Sequence, residues 1–328
     1  MLSNDIGLLS INCNFHAKKL AEKVYGDESC YFSGYNYADV LNSDRIPYIM
    51  GWYCNNRKTL EAQYALIDCN PSSKIIYQRP AIIHWLGTDI MNAHTLKEIG
   101  EVRMFEKLSH GAIINLVHTE EHLAEMKEVM PNATYMVVPL PPYIIHEVTP
   151  FEEKSIISVY MPTMRRDFFR FETILQAASH FPEVRFEFYY YYDKFEGGDI
   201  PIQNTVNCFF VSAKDEEGMK EQVRRSRAFI RIPVHDGLSV QALEFATAGR
   251  SIIYNKHLPF VDEFKDDAPN HVEELCKHIR EALTREEPMY EMASLYRKQF
   301  GHEEYLAKIS NVVDLLKSVK QEKPVVAS

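Results

Sequence analysis

The sequence HDGLSVQALEFATAG at residues 235–249, followed at once by SIIY at 251–254, decides how the rest of the chain is interpreted. Asp236 begins a turn, and Ser239 is a suitable N-cap for a helix that Gly249 ends as its C′ residue. The apolar run at 251–254 predicts a strand. The stretch therefore predicts an acidic loop, a helix and a strand in that order.

The amino end of this helix is suited to an anion, because its free N–H groups and the positive end of its dipole point into the preceding loop. Gly237, Leu238 and Ser239 line that end. Asp236 at the mouth and Glu244 further along the helix would accept hydrogen bonds from hydroxyl groups of the same ligand. An anion flanked by hydroxyl groups describes a nucleotide sugar. On spacing alone, an ordinary capped helix with two solvated carboxylates is the alternative interpretation.

The frame Gly-Leu-Ser…Leu-Glu…Ala-Gly, with an acid eight positions before the Glu, resembles the glutamate-pair motif of retaining glycosyltransferases with the GT-B fold, the large family 4 group. Here the first acid is Asp236 rather than Glu. The resemblance implies an α/β chain of two facing Rossmann-like domains with a C-terminal helix that crosses back to the first domain. We therefore expect an acceptor-side domain at 1–148, a nucleotide-sugar donor domain at 149–302, and a crossing helix with its tail at 303–328.

Two arginines precede a predicted helix in the second half of the chain. The family places an Arg and, five residues later, a Lys at this point, both closing on the donor diphosphate. The resemblance implies that role for Arg165 and Arg170, with Arg in place of Lys. The change keeps the charge and favours bidentate phosphate contacts. Arg166 is the local alternative, and a basic surface loop is the simpler interpretation.

The stretch AIIHWLGTD at 81–89 predicts a buried strand with His84 at its carboxyl end, where ligands bind in open parallel sheets. His-Trp-x-Gly-Thr-Asp resembles a segment of the same transferases that borders the sugar and the acceptor. The resemblance implies that His84 contacts the donor sugar or the acceptor and that Asp89 lies on the acceptor side. A structural histidine and a helix-capping aspartate are the alternatives.

The first loop, after a strand at 6–11, departs from the pattern of the family, which often carries a glycine pair there. This chain has Asn12 and Asn14 instead. Either the side-chain amides substitute for backbone contacts to phosphate or the loop serves the acceptor. We take Asn14 and His16 as acceptor-side candidates.

The remaining apolar patterns predict alternating strands and helices, as in a doubly wound fold. Thr119 is a predicted N-cap, and the prolines at 139–142 place a domain boundary between 139 and 155. The predicted strands are 31–32, 46–50, 111–117, 134–138, 156–161, 184–192, 206–211 and 228–232, and the predicted helices are 17–24, 57–69, 171–178, 215–225, 270–285, 288–299 and 302–318.

Composition excludes several classes of partner. The chain has 36 basic and 46 acidic residues, and the formal charge of −10 argues against a nucleic-acid partner. Its 6 cysteines form no metal-binding pattern, which favours reduced thiols in a cytoplasmic protein. We expect no membrane span, although peripheral membrane contact with a lipid-linked acceptor stays open. The oligomeric state is unknown from the sequence.

The function implied by the resemblance is transfer of a hexosyl group from a nucleoside-diphosphate sugar to an acceptor hydroxyl, with retention at the anomeric carbon. Asp236 would bind sugar hydroxyls and Glu244 the ribose, with a UDP-sugar favoured over a GDP-sugar as the donor. No cofactor and no metal are expected. Two alternatives stay open: a catalytically silent GT-B binding subunit and a sugar-nucleotide epimerase.

Overall fold

The structure of the protein is a computed structural model, and it describes residues 2–10, 14–33, 39–40, 43–52, 80–98, 105–106, 108–109, 112–152, 155–160, 167–190, 207–212, 215–265 and 267–319. The chain divides into two compact units. Unit 1 is Met1–Tyr143 with His302–Ser328, and unit 2 is Ile144–Gly301. The predicted helix at 57–69 lies outside the described residues.

Each unit contains a parallel sheet of six described strands. The order is β2-β1-β3-β4-β5-β6 in unit 1 and β12-β11-β10-β7-β8-β9 in unit 2. The strands are β1 (Ile6–Ser10), β2 (Tyr31–Ser33), β3 (Ile46–Met50), β4 (Ala81–His84), β5 (Ile113–Val117), β6 (Thr134–Val137), β7 (Ile156–Tyr160), β8 (Arg185–Tyr190), β9 (Cys208–Ser212), β10 (Ala228–Arg231), β11 (Ser251–Tyr254) and β12 (Asp262–Glu263).

Helices alternate with these strands along the chain, which confirms the predicted α/β class. The helices of the described residues are α1 (Asn14–Lys19, continued by a π-helical turn at Leu20–Tyr25), α2 (Thr88–Glu98), α3 (Glu120–Val129), α4 (Phe171–Ser179), α5 (Glu216–Arg225), α6 (Val240–Thr247), α7 (His271–Thr284), α8 (Tyr290–Phe300) and α9 (His302–Val319). The last of these, α9, belongs to unit 1.

Strand order reverses once in each sheet. In unit 1, strands β2 and β3 pair with opposite edges of β1. In unit 2, strands β8 and β10 pair with opposite edges of β7. The loops that leave the carboxyl ends of the strands at such a point diverge and open a crevice, which is where ligands of open α/β sheets bind.

Helix α6 is the predicted helix of the acidic loop, and its caps are confirmed. Ser239 accepts a hydrogen bond from the N–H of Ala242 at 3.4 Å, and Gly249 has a φ of 71°, the left-handed conformation that favours glycine. Phe245 holds the helix on the sheet, since its ring stacks on that of Phe229 in β10 at 4.4 Å. Burial of such a ring contributes about 2–3 kcal/mol.

Candidate functional site

The candidate site of unit 2 lies where its sheet reverses order, between β7 and β10. The segment 167–170 follows the loop after β7, and the segment 232–239 follows β10. A hydrogen bond of 2.8 Å from the N–H of Val234 to the carbonyl of Phe168 ties the two segments together. The fold therefore brings the region of the predicted arginines to the predicted acidic loop.

Asp236 is held by two side chains that end neighbouring strands. Its Oδ2 atom accepts a hydrogen bond of 2.5 Å from Nε of Arg231 and one of 3.1 Å from the hydroxyl of Tyr254. The Asp236 and Arg231 side chains are only 15% and 11% exposed. All hydrogen bonds found to this carboxylate among the described residues end on Oδ2. The carboxylate is therefore fixed through one oxygen and keeps the other for a ligand.

The ion pair also sets the protonation of its neighbours. Burial alone would lower the pKa of Arg231, but the charge of Asp236 and the hydrogen bond to it raise that pKa well above its ordinary value. Burial, and then the Asp236 charge, raise the pKa of Tyr254. The guanidinium of Arg231 also lies 4.9 Å from the ring centre of Tyr160. Arg231 is thus a permanent buried cation, and Tyr254 stays a neutral hydroxyl.

Tyr254 further shapes the amino end of α6. Its hydroxyl accepts a hydrogen bond of 3.1 Å from the N–H of Ser239 and donates to the carbonyl of Gly237 or to Asp236. Leu238 is buried in the apolar core beneath the loop. Asp236, Gly237, Leu238 and Ser239 therefore form one rigid turn in front of the helix.

Glu244, the predicted ribose ligand, lies in the second turn of α6 and is 5% exposed. Its Oε1 atom accepts a hydrogen bond of 3.3 Å from the N–H of Ile144. The carboxylate therefore has a structural partner within unit 2. A contact with ribose stays a prediction.

Arg170 takes an unusual backbone conformation at the N-cap of α4. Its φ is 52°, in the left-handed region that non-glycine residues rarely adopt. Its Nη1 atom lies 3.3 Å from Nδ1 of His271, and its guanidinium lies 5.4 Å from the ring centre of Phe264. Such strain persists where the surroundings fix it, and it concentrates at functional sites. Arg165 and Arg166 lie outside the described residues.

His84 ends β4 in unit 1 and is fully buried. Its Nδ1 atom lies 2.6 Å from the hydroxyl of Tyr48 on β3. Burial is the main cause that lowers its pKa, to about 3. The ring of His118, which follows β5, lies edge-on to it at 4.9 Å. Burial and the nearby His84 also lower the pKa of His118, so both imidazoles are neutral at physiological pH.

Asp89 is a buried acceptor for backbone N–H groups. Its carboxylate receives hydrogen bonds from Trp52 at 3.0 Å, Leu86 at 2.9 Å, Gly87 at 2.8 Å and Ile90 at 3.1 Å. Burial raises its pKa, to about 6, against the effect of these donors. Its described role is therefore to join the loops after β3 and β4, in keeping with the capping alternative. A contact with the acceptor stays a prediction.

The remaining acceptor-side candidates lie at the start of α1. His16 Nδ1 lies 2.5 Å from the hydroxyl of Tyr143 within unit 1. Asn14 is placed by its backbone as the first residue of α1, and its side chain lies outside what the structure describes. Contacts of both residues with an acceptor stay predictions.

A possible metal-binding group was not expected from the sequence. In unit 2, Asp262, His278 and Glu281 each offer a ligand atom within 4.8 Å of the others. Arg285, however, already binds both oxygens of Asp262, at 2.8 and 2.9 Å. The group therefore has the composition of a metal site, but its central carboxylate is neutralised by an arginine.

Three residues that complete the candidate sites were not predicted from the sequence. Arg231 and Tyr254 stand at the carboxyl ends of β10 and β11, and Tyr48 lies inside β3. A charged residue at the end of an apolar strand, five positions before an acid, was the available signal for Arg231. Tyr48 and Tyr254 gave no signal beyond their place in apolar runs.

No protein-family model matches the sequence, and a search of curated proteins finds no significant match. Solved structures do match. The sucrose-phosphate synthase of Thermosynechococcus elongatus is 12% identical with a TM-score of 0.62 and matches 86% of this chain and 76% of its own. The pneumococcal O-GlcNAc transferase GtfA, in complex with UDP and GlcNAc, is 11% identical with a TM-score of 0.57 over 87% of this chain.

TarM of S. aureus is 11% identical with a TM-score of 0.55 over 83% of this chain. The chain spans 55% of the TarM chain and 60% of the GtfA chain. These likenesses establish the architecture: the chain has the GT-B fold of glycosyltransferases, as the sequence predicted. At these identities they show the fold alone. In the part of the chain that the structure describes, no helix is long and apolar enough to cross a membrane.

Proposed function

We propose that the protein is a glycosyltransferase that moves a hexosyl group from a nucleoside-diphosphate sugar to an acceptor hydroxyl with retention, in the manner of family 4. The observation that carries this proposal is the crevice of unit 2. There, Asp236 and the amino end of α6 are tied by backbone hydrogen bonding to the segment that ends in Arg170.

The charges of this crevice suit a diphosphate. Arg170 supplies a cation, and the turn at 237–239 ends on the positive pole of α6. Arg231 is not a free cation, because Asp236 neutralises it. The diphosphate therefore depends on Arg170 and on the helix amides, with Arg165 and Arg166 as further proposed partners.

The reaction breaks the bond between the anomeric carbon and the β-phosphate oxygen and forms a bond from that carbon to the acceptor oxygen. Negative charge grows on the leaving diphosphate, and fixed donors that face this charge lower the barrier. The proton of the acceptor hydroxyl passes to the leaving phosphate. This scheme requires no protein base and no cofactor.

Asp236 acts in this scheme by orienting the sugar. Its Oδ2 atom is occupied by Arg231 and Tyr254, so Oδ1 is the atom that accepts a hydrogen bond from a sugar hydroxyl. An ion-paired carboxylate is also a poor nucleophile, which favours the orienting role over a covalent one. Glu244 would hold the ribose. UDP is the favoured donor nucleotide, because a UDP-sugar was the donor expected from the sequence and because one structural neighbour, GtfA, was solved with UDP.

The test is turnover of nucleotide sugars by the purified protein. UDP-, GDP-, ADP- and dTDP-linked hexoses are each incubated with a panel of hydroxyl acceptors, and both free nucleotide and glycosylated product are measured. The proposal expects one nucleotide class to be consumed with formation of product whose anomeric configuration matches the donor. Asp236→Asn should lower this turnover by about 100-fold.

Asp215→Asn is the matched control, because Asp215 caps α5 by accepting a hydrogen bond from the N–H of Gly218 and Asn caps helices equally well. It should turn over as the wild type does. Formation of a new sugar nucleotide without any acceptor would replace the proposal with an epimerase. Absence of turnover with every donor by a folded protein would contradict catalysis and leave the silent subunit.

A further inference from the structure

A histidine and two carboxylates of unit 2 come together between β12 and α7. His278 and Glu281 lie three positions apart on α7, and Asp262 is the first residue of β12. Residues three positions apart lie on the same side of a helix. Each of the three side chains offers a ligand atom within 4.8 Å of those of the other two. Histidine nitrogen and carboxylate oxygen are both ligands of zinc in proteins, so the cluster has the ligand types of a zinc site.

The imidazole of His278 has a defined orientation. Its Nε2 atom lies 3.1 Å from Oε1 of Glu274, which is one turn earlier on α7. An ionised carboxylate only accepts hydrogen bonds, so Nε2 carries the hydrogen of this contact. A carboxylate behind the imidazole is the usual outer partner of a metal-binding histidine, because it fixes the ring and makes the other nitrogen a stronger ligand. Nδ1 is the nitrogen that this contact leaves for a further partner.

Nδ1 of His278 is buried and faces the cluster without a hydrogen bond. The side chain is only 8% exposed, and Nδ1 lies 3.4 Å from Oε2 of Glu281. This contact lacks the geometry of a hydrogen bond, and Nδ1 has no hydrogen-bond partner among the described residues. A hydrogen on Nδ1 would therefore be buried unpaired, which is costly. With a lone pair on Nδ1, two acceptor atoms face each other, and a cation is the partner that both can share.

Asp262 is oriented by Arg285 in a comparable way. The guanidinium binds both carboxylate oxygens, at 2.8 and 2.9 Å, and its Nη1 atom also donates to Oγ of Ser251 at 2.7 Å. A carboxylate oxygen has two lone pairs, so each oxygen keeps one beyond its bond to Arg285. Carboxylates that bind metals are themselves hydrogen-bonded in this manner. Arg285 therefore fixes Asp262 and leaves it able to act as a ligand.

The charges around the cluster suit a divalent cation. At neutral pH, Asp262, Glu274 and Glu281 carry three negative charges and Arg285 carries one positive charge, whereas His278 with a lone pair on Nδ1 is neutral. The balance of −2 is the charge that one zinc ion offsets. Two ligands about 2.1 Å from a tetrahedral zinc ion lie about 3.4 Å apart. The distance from Nδ1 to Oε2 of Glu281 is the same.

We propose that Asp262, His278 and Glu281 bind a zinc ion through Nδ1 of the imidazole and one oxygen of each carboxylate, with water in the remaining position. An imidazole among carboxylates suits zinc, whereas calcium and magnesium prefer oxygen ligands alone. The metal joins the edge strand β12 to α7 and has a structural role. This inference does not rest on the proposed function.

The position of the site gives the metal a consequence for Arg170. Phe264 lies two positions after Asp262, and His271 is the first residue of α7. The Arg170 guanidinium lies 5.4 Å from the ring centre of Phe264, and its Nη1 atom lies 3.3 Å from Nδ1 of His271. A metal that joins β12 to α7 therefore also holds together the two segments that contact Arg170.

The test is calorimetric titration of zinc chloride into full-length protein that carries no affinity tag and has been freed of metal with a chelator. We expect the wild type to bind one zinc ion at this cluster. His278→Gln and Glu281→Gln should each bind it at least tenfold more weakly, because each loses a ligand. Glu274→Ala loses the outer partner of His278 and should bind it about tenfold more weakly. Saturating zinc should raise the Tm of the wild type by about 5 °C and leave that of His278→Gln unchanged.

His257→Gln is the matched control. It also removes a histidine of unit 2 that contacts a carboxylate, since Nδ1 of His257 lies 2.7 Å from Oε2 of Glu263. This pair belongs to no group of three metal-binding side chains in the part of the chain that the structure describes. Zinc should bind this variant as it binds the wild type. An equal loss of zinc binding in His257→Gln and His278→Gln would overturn the proposal.

Two further results would also overturn it. One is zinc binding of wild-type strength in folded His278→Gln and Glu281→Gln, or no zinc binding by the folded wild type; His278 would then be an imidazolium ion between Glu274 and Glu281. The other is calcium binding as tight as that of zinc, which would exclude the imidazole as a ligand. If His278→Gln does not fold, Glu281→Gln decides, because the Glu281 side chain is half-exposed and its substitution spares the core.

Discussion

The two units place different kinds of polar group at the carboxyl edges of their parallel sheets. In unit 2, Arg231 at the end of β10 forms a buried ion pair with Asp236 of the following loop. Unit 1 ends its strands β4 and β5 with buried imidazoles that are neutral, at His84 and His118. The carboxyl edge of unit 2 is therefore built from fixed charges, and that of unit 1 from uncharged polar groups.

This difference indicates which chemical group of a ligand each sheet edge is suited to bind. A diphosphate needs cations and helix amides, and unit 2 provides both. A neutral imidazole has one nitrogen that donates a hydrogen bond and one that accepts. It can therefore bind hydroxyl groups, which are uncharged and both donate and accept. We therefore propose that unit 2 binds the donor nucleotide and that unit 1 binds a polyhydroxyl group.

The largest effect is expected from a substitution that removes one charge of the buried ion pair in unit 2. Asp236→Asn leaves Arg231 buried without a counter-charge and should lower the free energy of unfolding by about 3 kcal/mol, measured by chemical denaturation.

A double variant separates the two effects. Arg231→Met with Asp236→Asn removes both charges and should recover most of the lost stability while turnover stays low. Recovery of turnover together with stability would show that Asp236 serves only the fold.

The next effect, on pH dependence, concerns the neutral imidazoles of unit 1 and His146 in unit 2. Burial lowers the folded-state pKa of His84 to about 3 and that of His146 to about 4, and lowers that of His118 as well. The unfolded chain binds protons that the folded protein does not, so stability is full above pH 6.5, the ordinary value, and falls below it.

For each of these histidines, lowering the pH from 6.5 to about 5.5 should lower the free energy of unfolding by about 1 kcal/mol. Asp89 opposes them, because its folded-state pKa is raised to about 6 and it gains stability as it is protonated. The free energy of unfolding, measured by chemical denaturation at the two pH values, should therefore fall by about 2 kcal/mol in total. His84→Gln should make the free energy of unfolding depend less steeply on pH. An unchanged dependence in that variant would contradict a neutral His84.

The smallest effect concerns backbone strain. Among the described residues, the non-glycine residues with positive φ are Arg170 at 52° and Phe260 at 63°, both in unit 2. Arg170→Gly should be more stable than Arg170→Ala by about 1 kcal/mol, because glycine adopts this conformation freely. Both variants lose the cation, so both should bind nucleotide at least tenfold more weakly than the wild type. Equal stability of the two would show that the conformation stores no strain.

Local signals in the sequence were sufficient for individual helices and strands. The cap at Ser239, the glycine at 249 and the apolar strands predicted α6 and its neighbours, because capping and periodicity depend on adjacent residues. The GT-B architecture followed from the resemblance and is confirmed by the structural neighbours.

Pairings across the sheet could not be predicted. The contact of Asp236 with Tyr254 joins the loop after β10 to the end of β11. The contact of Tyr48 with Tyr305 joins β3 to α9 across 257 positions of the sequence. Such contacts depend on strand order and register, which single residues do not reveal. The carboxylate of Asp89 combines both cases: three of its backbone donors, Leu86, Gly87 and Ile90, are neighbours in sequence, as the capping alternative expected, whereas the fourth, Trp52, is brought to it by the fold.

The central claim is that the crevice of unit 2 binds a nucleoside diphosphate through Arg170. Calorimetric titration of UDP, GDP, ADP and dTDP into the wild type, Arg170→Ala and Arg280→Ala tests it directly. Arg280 is the matched control, because its guanidinium likewise lies over an aromatic ring, that of Phe181 at 5.7 Å. We predict that one nucleotide, UDP, binds the wild type and Arg280→Ala equally and binds Arg170→Ala at least tenfold more weakly, a difference of about 1.4 kcal/mol in binding free energy. Equal binding by all three proteins, or no binding of any nucleotide by the folded wild type, would contradict it.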